Sequence, residues 1–308
     1  MSALGAAVDD YLNIRRRLGF ALDRHGKLLP DFVDYLDAAG QSHITSELAL
    51  AWAMLPVAAH PATWRTRLGI VRAFSRHMKT IDPDTEVPPE SLLSARWRRV
   101  RPYLYSDADI GALMAAARGL QPPWRAATYE TLIGLLAVTG LRLGETLGLD
   151  RTDVDLEAGY LLVRRAKLGN IRQIPIHETV VEPLRQFCRI RDRQFAEPST
   201  PSFFVSAGGK RLSAGTVHGN FRALVHTAGL EGRGQRFRPR PHDLRHRFAV
   251  ATLLGWYRDG GDVGACLPIL STWLGHVDPA ATYWYLEASP ELLGLAAQRL
   301  ERVLGESS

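Results

Sequence analysis

The chain has 308 residues, 46% hydrophobic and 23% charged, with a net charge of +6. This is ordinary globular usage, which excludes a disordered chain or a fibre, and the length suits about two domains. The longest nearly apolar stretches, 48–59 and 132–141, are too short to cross a bilayer, and Asp9 and Asp10 precede the first basic residues, unlike a secretory signal. In chain order, the hydrophobic periodicity predicts helices over 4–18, 28–39, 47–55 and 62–81, the second with Pro30 in its opening turn. These read as a helical bundle. Residues 82–105, with Pro83, Pro88 and Pro89 and the basic run Arg96, Arg98, Arg99 and Arg101, break the pattern. The expected division is a first domain over 1–88, a linker over 89–105 and a second domain over 106–308.

In the second domain, Ser106 and Asp109 have the spacing of a capping box opening a helix to Arg118, and 124–138 is an apolar helix ended by Gly140. The period then changes. Residues 160–163 and the isoleucines at 171, 174 and 176 predict a β-hairpin turning at Gly169 and Asn170. Helices follow over 178–195, 214–228, 242–258, 266–274, 280–286 and 290–304, with a short strand over 203–206. The expected fold class is mainly α with a small β-hairpin or sheet (α+β).

The charge is uneven. Residues 201–250 hold nine basic and two acidic groups, a footprint suited to a polyanion, with nucleic acid as the leading partner. A solvated basic face is the competing reading, since 34 of the 38 basic residues are arginine. Cys188 and Cys266 stand far apart with no CxxC partner, so neither a disulfide framework nor a cysteine-pair zinc site is expected.

Several residues have types and spacings suited to phosphate chemistry. Arg142 and Glu145, three apart, can pair on one helical turn. Lys167, one of only four lysines, stands beside the hairpin turn, where a group able to give up a proton can act as an acid. His242 and Arg245 share one face near a helix start, approached by Arg236, Arg238 and Arg240. His276 follows Leu274 and Gly275, and a short helix then carries Tyr283, Trp284 and Tyr285. Tyrosines two apart point to different sides, so at most one can face the His276 pocket; Tyr283 and Trp284 are expected in the core. Asp153 and Asp155 could serve a metal-dependent nuclease, but no third carboxylate joins them. No GxxxxGK[ST] motif occurs.

The order Thr139-Gly140-Leu141-Arg142-Leu143-Gly144-Glu145, Lys167, His242-Asp243-Leu244-Arg245-His246, Leu274-Gly275-His276 and Tyr285 resembles a tyrosine recombinase of the phage-integrase family, over roughly residues 100–290. The stretch from Tyr283 to Pro290 is similar to transposon-borne members. The resemblance implies an N-terminal helical core-binding bundle and a C-terminal catalytic domain closing on double-stranded DNA as a clamp. It implies site-specific cutting and rejoining through a 3′-phosphotyrosine, without metal, ATP or other cofactor.

By that resemblance Tyr285 is the nucleophile, Arg142 and Arg245 clamp the phosphate, and Lys167 protonates the leaving oxygen. His242 takes the tyrosine proton or orients the phosphate, His276 donates to it, and Glu145 holds Arg142. Arg96, Arg98, Arg99, Arg101, Arg236, Arg238, Arg240 and Arg247 are then expected against DNA, Arg247 standing where the family often has a small hydroxyl residue. A homo-oligomer on DNA, as a tetrameric synapse, is implied, with room for partner recombinases and with the 290–304 helix as a candidate contact between protomers. The expected location is the cytoplasm, associated with the nucleoid, with no membrane contact. The alternatives are a topoisomerase-like relaxer and a catalytically silent accessory DNA-binding subunit of a multi-recombinase element.

Overall fold

The computed structural model describes residues 2–93, 102–164, 171–196, 199–231, 238–276, 278 and 280–305. The chain divides into two compact units, Met1–Arg99 and Val100–Ser308.

The described residues of the first unit form four helices: α1 (Ala3–Arg17), α2 (His25–Ala38), α3 (Ser46–Met54) and α4 (Pro61–Met78). Their starts follow local chemistry. Ser2 accepts from the Gly5 N–H, Thr45 from the Leu48 N–H, and Pro61 takes the first position of α4, where a missing N–H costs nothing. The periodic residues Leu29, Phe32, Val33 and Leu36 are buried against Trp52 and Phe74. Trp52 Nε1 donates to Asp31, and the Arg67 guanidinium lies 3.7 Å above its ring. One expectation fails here: α2 begins at His25, so Pro30 sits in its second turn rather than its first.

The second unit opens with Tyr103 and Tyr105, both buried in its core, while Leu92 and Leu93 pack on the first unit's core. Both described ends of the 89–105 segment are thus packed rather than free, because each end carries large apolar side chains that gain by leaving water. Helix α5 (Asp107–Arg118) starts with the expected box, Ser106 Oγ accepting from the Asp109 N–H and the Asp109 carboxylate from the Ser106 N–H. Helix α6 (Pro123–Thr139) packs on it, followed by α7 (Leu143–Gly148), a six-residue helix the periodicity did not reveal. It is too short to show a period.

The sheet has three antiparallel strands, β1 (Val154–Asp155), β2 (Tyr160–Val163) and β3 (Arg172–Pro175), in that order. Leu161, Val163 and Ile174 are buried, whereas Ile171 lies before β3 and is exposed. The expected turn at Gly169 and Asn170 lies outside the described residues. Residues 203–206 form no strand but take part in the single bridge Val205↔Arg211. Helices α8 (Glu178–Gln194) and α9 (Ala214–Thr227) complete this core.

A separate cluster joins α10 (Pro241–Arg258), α11 (Val263–Leu274), α12 (Ala280–Ala288) and α13 (Pro290–Gly305) around Leu253, Leu270, Tyr285 and Leu292. Helix α13, a candidate contact between protomers, here packs Leu292 into its own chain's core, and Glu291 pairs with Arg258 at 2.6 Å. Among the described residues no helix is long and apolar enough to cross a membrane.

Candidate active site

Helix α6 ends on a sharp reversal. Gly140 has φ +62°, and a Cβ there would run into the Phe248 ring on α10, so only glycine fits. The chain leaves this turn with Arg142 at the N-cap of α7. Glu145, in the first turn, accepts from the Arg142 backbone N–H at 2.9 Å and from Arg142 Nη1 at 2.8 Å. Burial pushes the Glu145 carboxyl up, but the hydrogen bonds from Arg172 and from the Arg142 backbone outweigh it, and its pKa falls below the usual range. Arg142 Nη2 donates to the Gly275 carbonyl at 3.1 Å.

Helix α10 supplies the second guanidinium. Pro241 opens it, and the buried Asp243 accepts from the Arg240 N–H at 2.9 Å. One turn further in, Arg245 is 2% exposed. Its Nη1 donates to the Gly140 carbonyl at 2.9 Å, and its Nη2 to the Leu274 carbonyl at 2.7 Å and to His276 Nε2 at 2.9 Å. The two carbonyls belong to the C-terminal ends of α6 and α11, where helix carbonyls lack partners and carry partial negative charge. A single buried cation therefore ties three chain segments together. Burial draws the Arg245 pKa down, and the nearby Tyr285 phenol is the strongest opposing influence.

His276 follows the left-handed Gly275, φ +64°, at the end of α11. Its Nδ1 lies 2.7 Å from Thr282 Oγ1. Its pKa is lowered to about 4, by burial first and then by Arg245 and Arg142, so the ring is neutral at pH 7. Tyr285, on α12, is 3% exposed and stacks on His276 with ring centroids 5.9 Å apart and planes 17° apart. It also touches His246, with centroids at 5.4 Å. Tyr283, expected in the core, is instead 55% exposed; two positions along a helix turn a side chain by about 200°, so burying Tyr285 leaves Tyr283 outside.

His242 stands at the solvent-facing rim of the site, its ring edge-on to His246. Loss of hydration around the ring, then Arg245, Arg240 and Arg142, lower its pKa to about 4. It is therefore a neutral imidazole with a lone pair able to accept a proton.

The fold thus gathers Arg142, Glu145, His242, Arg245, His276 and Tyr285. Lys167 lies outside the described residues, as do Arg96, Arg98, Arg99, Arg101 and Arg236. Arg238 and Arg240 line a groove with His218 and Arg222 of α9. Arg240 pairs with Asp243 at 3.1 Å, and Arg247 pairs with Asp107 of α5, so these two guanidiniums already have carboxylate partners. Asp153 accepts the Asp150 N–H and pairs with Arg164, and Asp155 accepts two backbone N–H groups, so both carboxylates serve the local fold.

The motifs missed Arg172, whose guanidinium reaches Glu145, and Trp273, whose Nε1 donates to the Thr139 carbonyl at 2.8 Å. The one available signal for Arg172 was a charge between Ile171 and Ile174, in a stretch read as a strand from its isoleucines.

Residues 105–291, more than half of the chain, match the profile of the phage integrase family. The chain belongs to that family. It is 46% identical over 311 residues to y4rB of Sinorhizobium fredii, a protein carried under the name integrase/recombinase, with 98% of each chain covered. It is 32% identical over 179 residues to the tyrosine recombinase XerC of Pseudomonas aeruginosa, covering 58% of this chain and 53% of that one. Among solved structures, the Tn1549 transposon integrase in complex with transposon right end DNA superposes with a TM-score of 0.67 at 18% identity, covering 97% of this chain and 99% of that one. The XerH site-specific recombinase bound to a palindromic difH substrate gives 0.64 at 17%, covering 89% and 78%. At such identities these two show the shared two-domain fold. The family member described here is a tyrosine-type site-specific recombinase.

Proposed function

We propose that this recombinase cuts and rejoins double-stranded DNA through a covalent 3′-phosphotyrosine at Tyr285. The Tyr285 hydroxyl oxygen attacks the scissile phosphorus, the bond from phosphorus to the 5′-oxygen breaks, and the phenolic proton passes to the neutral His242. Lys167 gives a proton to the departing 5′-oxygen. Arg142 and Arg245 hold the non-bridging oxygens of the five-coordinate transition state, where paired guanidinium donors match the added charge. Attack of a second 5′-hydroxyl on the phosphotyrosine reverses these steps and rejoins the strand without outside energy. An arriving phosphate oxygen that takes Arg245 Nη2 releases His276 Nε2, which can then bind a proton and donate to the same phosphate.

The observation that carries this reading is the burial of Tyr285 against His276 and beside Arg245, while Tyr283 faces water. DNA as substrate is supported by the transposon integrase and XerH, which are bound to DNA in their structures. In this reading residues 1–88 bind the DNA core site, 89–105 link, and 106–308 catalyse. The basic run from Arg96 to Arg101, with Arg236, Arg238, Arg240 and Arg247, follows backbone phosphates, Arg240 and Arg247 exchanging carboxylate partners for phosphate. Four protomers act on two sites.

The test uses a duplex selected for binding from a random pool, nicked at successive positions, and incubated in EDTA with wild type, Tyr285→Phe and Tyr283→Phe. The expected result is a denaturation-resistant protein–DNA adduct from wild type and Tyr283→Phe and none from Tyr285→Phe. An adduct that survives Tyr285→Phe, or DNA binding with no adduct from wild type, overturns the assignment.

A further inference from the structure

We infer that Arg172, outside every motif noted above, is a positioning residue for the cleavage step, holding at once the carboxylate that aims Arg142 and the turn that carries His276. This rests on the phosphotyrosine reading. Arg172 opens β3, the strand that leaves the segment containing Lys167. Its Nη2 donates to Glu145 Oε2 at 2.8 Å and its Nη1 to Oε1 at 3.3 Å, a two-pronged grip. Its Nε donates to the Trp273 carbonyl at 3.0 Å, in the last turn of α11. A Cβ on Gly275 would lie 2.7 Å from Arg172 Nη1 and 2.9 Å from its Cζ, so the turn before His276 rests directly on this guanidinium.

Glu145 is 4% exposed and serves two arginines through both oxygens. Arg142 remains 32% exposed, open to a phosphate, whereas Arg172 is 11% exposed and committed to protein partners. The division of labour follows. Arg172 supplies the charge that keeps Glu145 ionised in a buried place, and Glu145 is then free to orient Arg142. Without Arg172 the carboxylate has one cation in direct contact, and the turn carrying His276 loses its support.

The experiment compares wild type with Arg172→Lys, Arg172→Gln, Glu145→Gln and the double variant Arg172→Gln/Glu145→Gln, using the selected nicked duplex. Adduct formation in single turnover is expected to slow by roughly 100-fold in Arg172→Gln, the size of a displaced reacting group, with duplex affinity unchanged. The double variant is expected to be no slower than the slower single variant, since both break one unit. Losses that multiply, or wild-type rates in both Arg172 variants, overturn the inference.

A purely structural role would not move the pH profile. Glu145 faces Arg142 on α7 and Arg172 on β3, with His242 and Arg245 of α10 and His276 across the site. Removing one cation makes the carboxyl easier to protonate, so the acid limb of the Arg172→Gln rate profile is expected at higher pH than that of wild type. The limb must not move when Arg172→Gln is added to Glu145→Gln. An unshifted limb in Arg172→Gln overturns the inference. So does a finding that both Arg172 variants are unfolded by thermal melting. If wild type forms no adduct, it is the phosphotyrosine reading that fails. The carboxyl ¹³C titration of Glu145 in folded Arg172→Lys, which keeps the charge but loses the fork, then decides the matter: an upward shift supports the grip described here, and no shift rejects it.

Discussion

Arg245 Nη2 and His276 Nε2 lie 2.9 Å apart, and a guanidinium can only donate, so this ring nitrogen carries no proton. The proton of the neutral ring is therefore on Nδ1, donated to Thr282 Oγ1. Sequence places His276 after a helix-ending glycine; the contact with Arg245 sets its tautomer, and burial, then Arg245, keeps it neutral.

The lowered histidine pKa values predict a pH dependence of stability. His276 and His242 titrate at about 4 when folded and near 6.5 when unfolded. Between these values the unfolded chain binds more protons, so the part of the stability that these rings contribute falls as pH drops from 6.5 to 4, and below it the depressed Glu145 carboxyl continues the loss. Thermal melts across the range should show this slope, and His276→Gln should reduce it. A flat profile would reject the assigned protonation states.

Arg245→Lys keeps a charge but loses the fork that reaches Gly140, Leu274 and His276. At least one buried carbonyl is left without its donor, which costs roughly 1–3 kcal/mol in denaturant unfolding. Adduct formation should fall by about 10²–10³-fold, the usual consequence of removing a transition-state donor.

Gly140→Ala forces a side chain into the left-handed region, costing roughly 1–2 kcal/mol, and drives its methyl into Phe248. The melting temperature should fall further than that backbone cost alone explains. Adding Phe248→Ala should not restore activity, because the φ strain at the turn before Arg142 remains.

Leu292 and Leu293 separate the two faces of α13. Leu292→Ala opens a cavity in the core around Tyr285 and should cost about 2–5 kcal/mol, whereas Leu293→Ala should stay within about 0.5 kcal/mol. Equal losses in denaturant unfolding would mean that α13 does not pack as described.

Much of this molecule is legible in the order of its residues. Helix periods, the Ser106–Asp109 box and the proline start of α4 are local properties, carried by side chains within one or two turns of each other. The residue types suited to phosphate chemistry are legible for the same reason: Arg142 with Glu145, and His242 with Arg245, declare themselves by spacing. The local reading errs where long-range packing competes with it. Pro30 falls in a second turn because residues from His25 onward extend α2, and Ile171 stays exposed although its type suits a strand.

What the tertiary structure alone decided is which groups meet. Arg142 and Gly275 are 133 positions apart, and Arg172 and Trp273 are 101 apart; no spacing rule links them. Residue type alone does not separate Tyr283 from Tyr285; the family resemblance picks Tyr285, and the fold buries it because α12 turns that side toward Leu253 and Leu292. The burial and neighbouring arginines that bring His276 down to about 4 come from the packing of separate segments, because dehydration and neighbouring charge belong to the folded site and not to any residue within it.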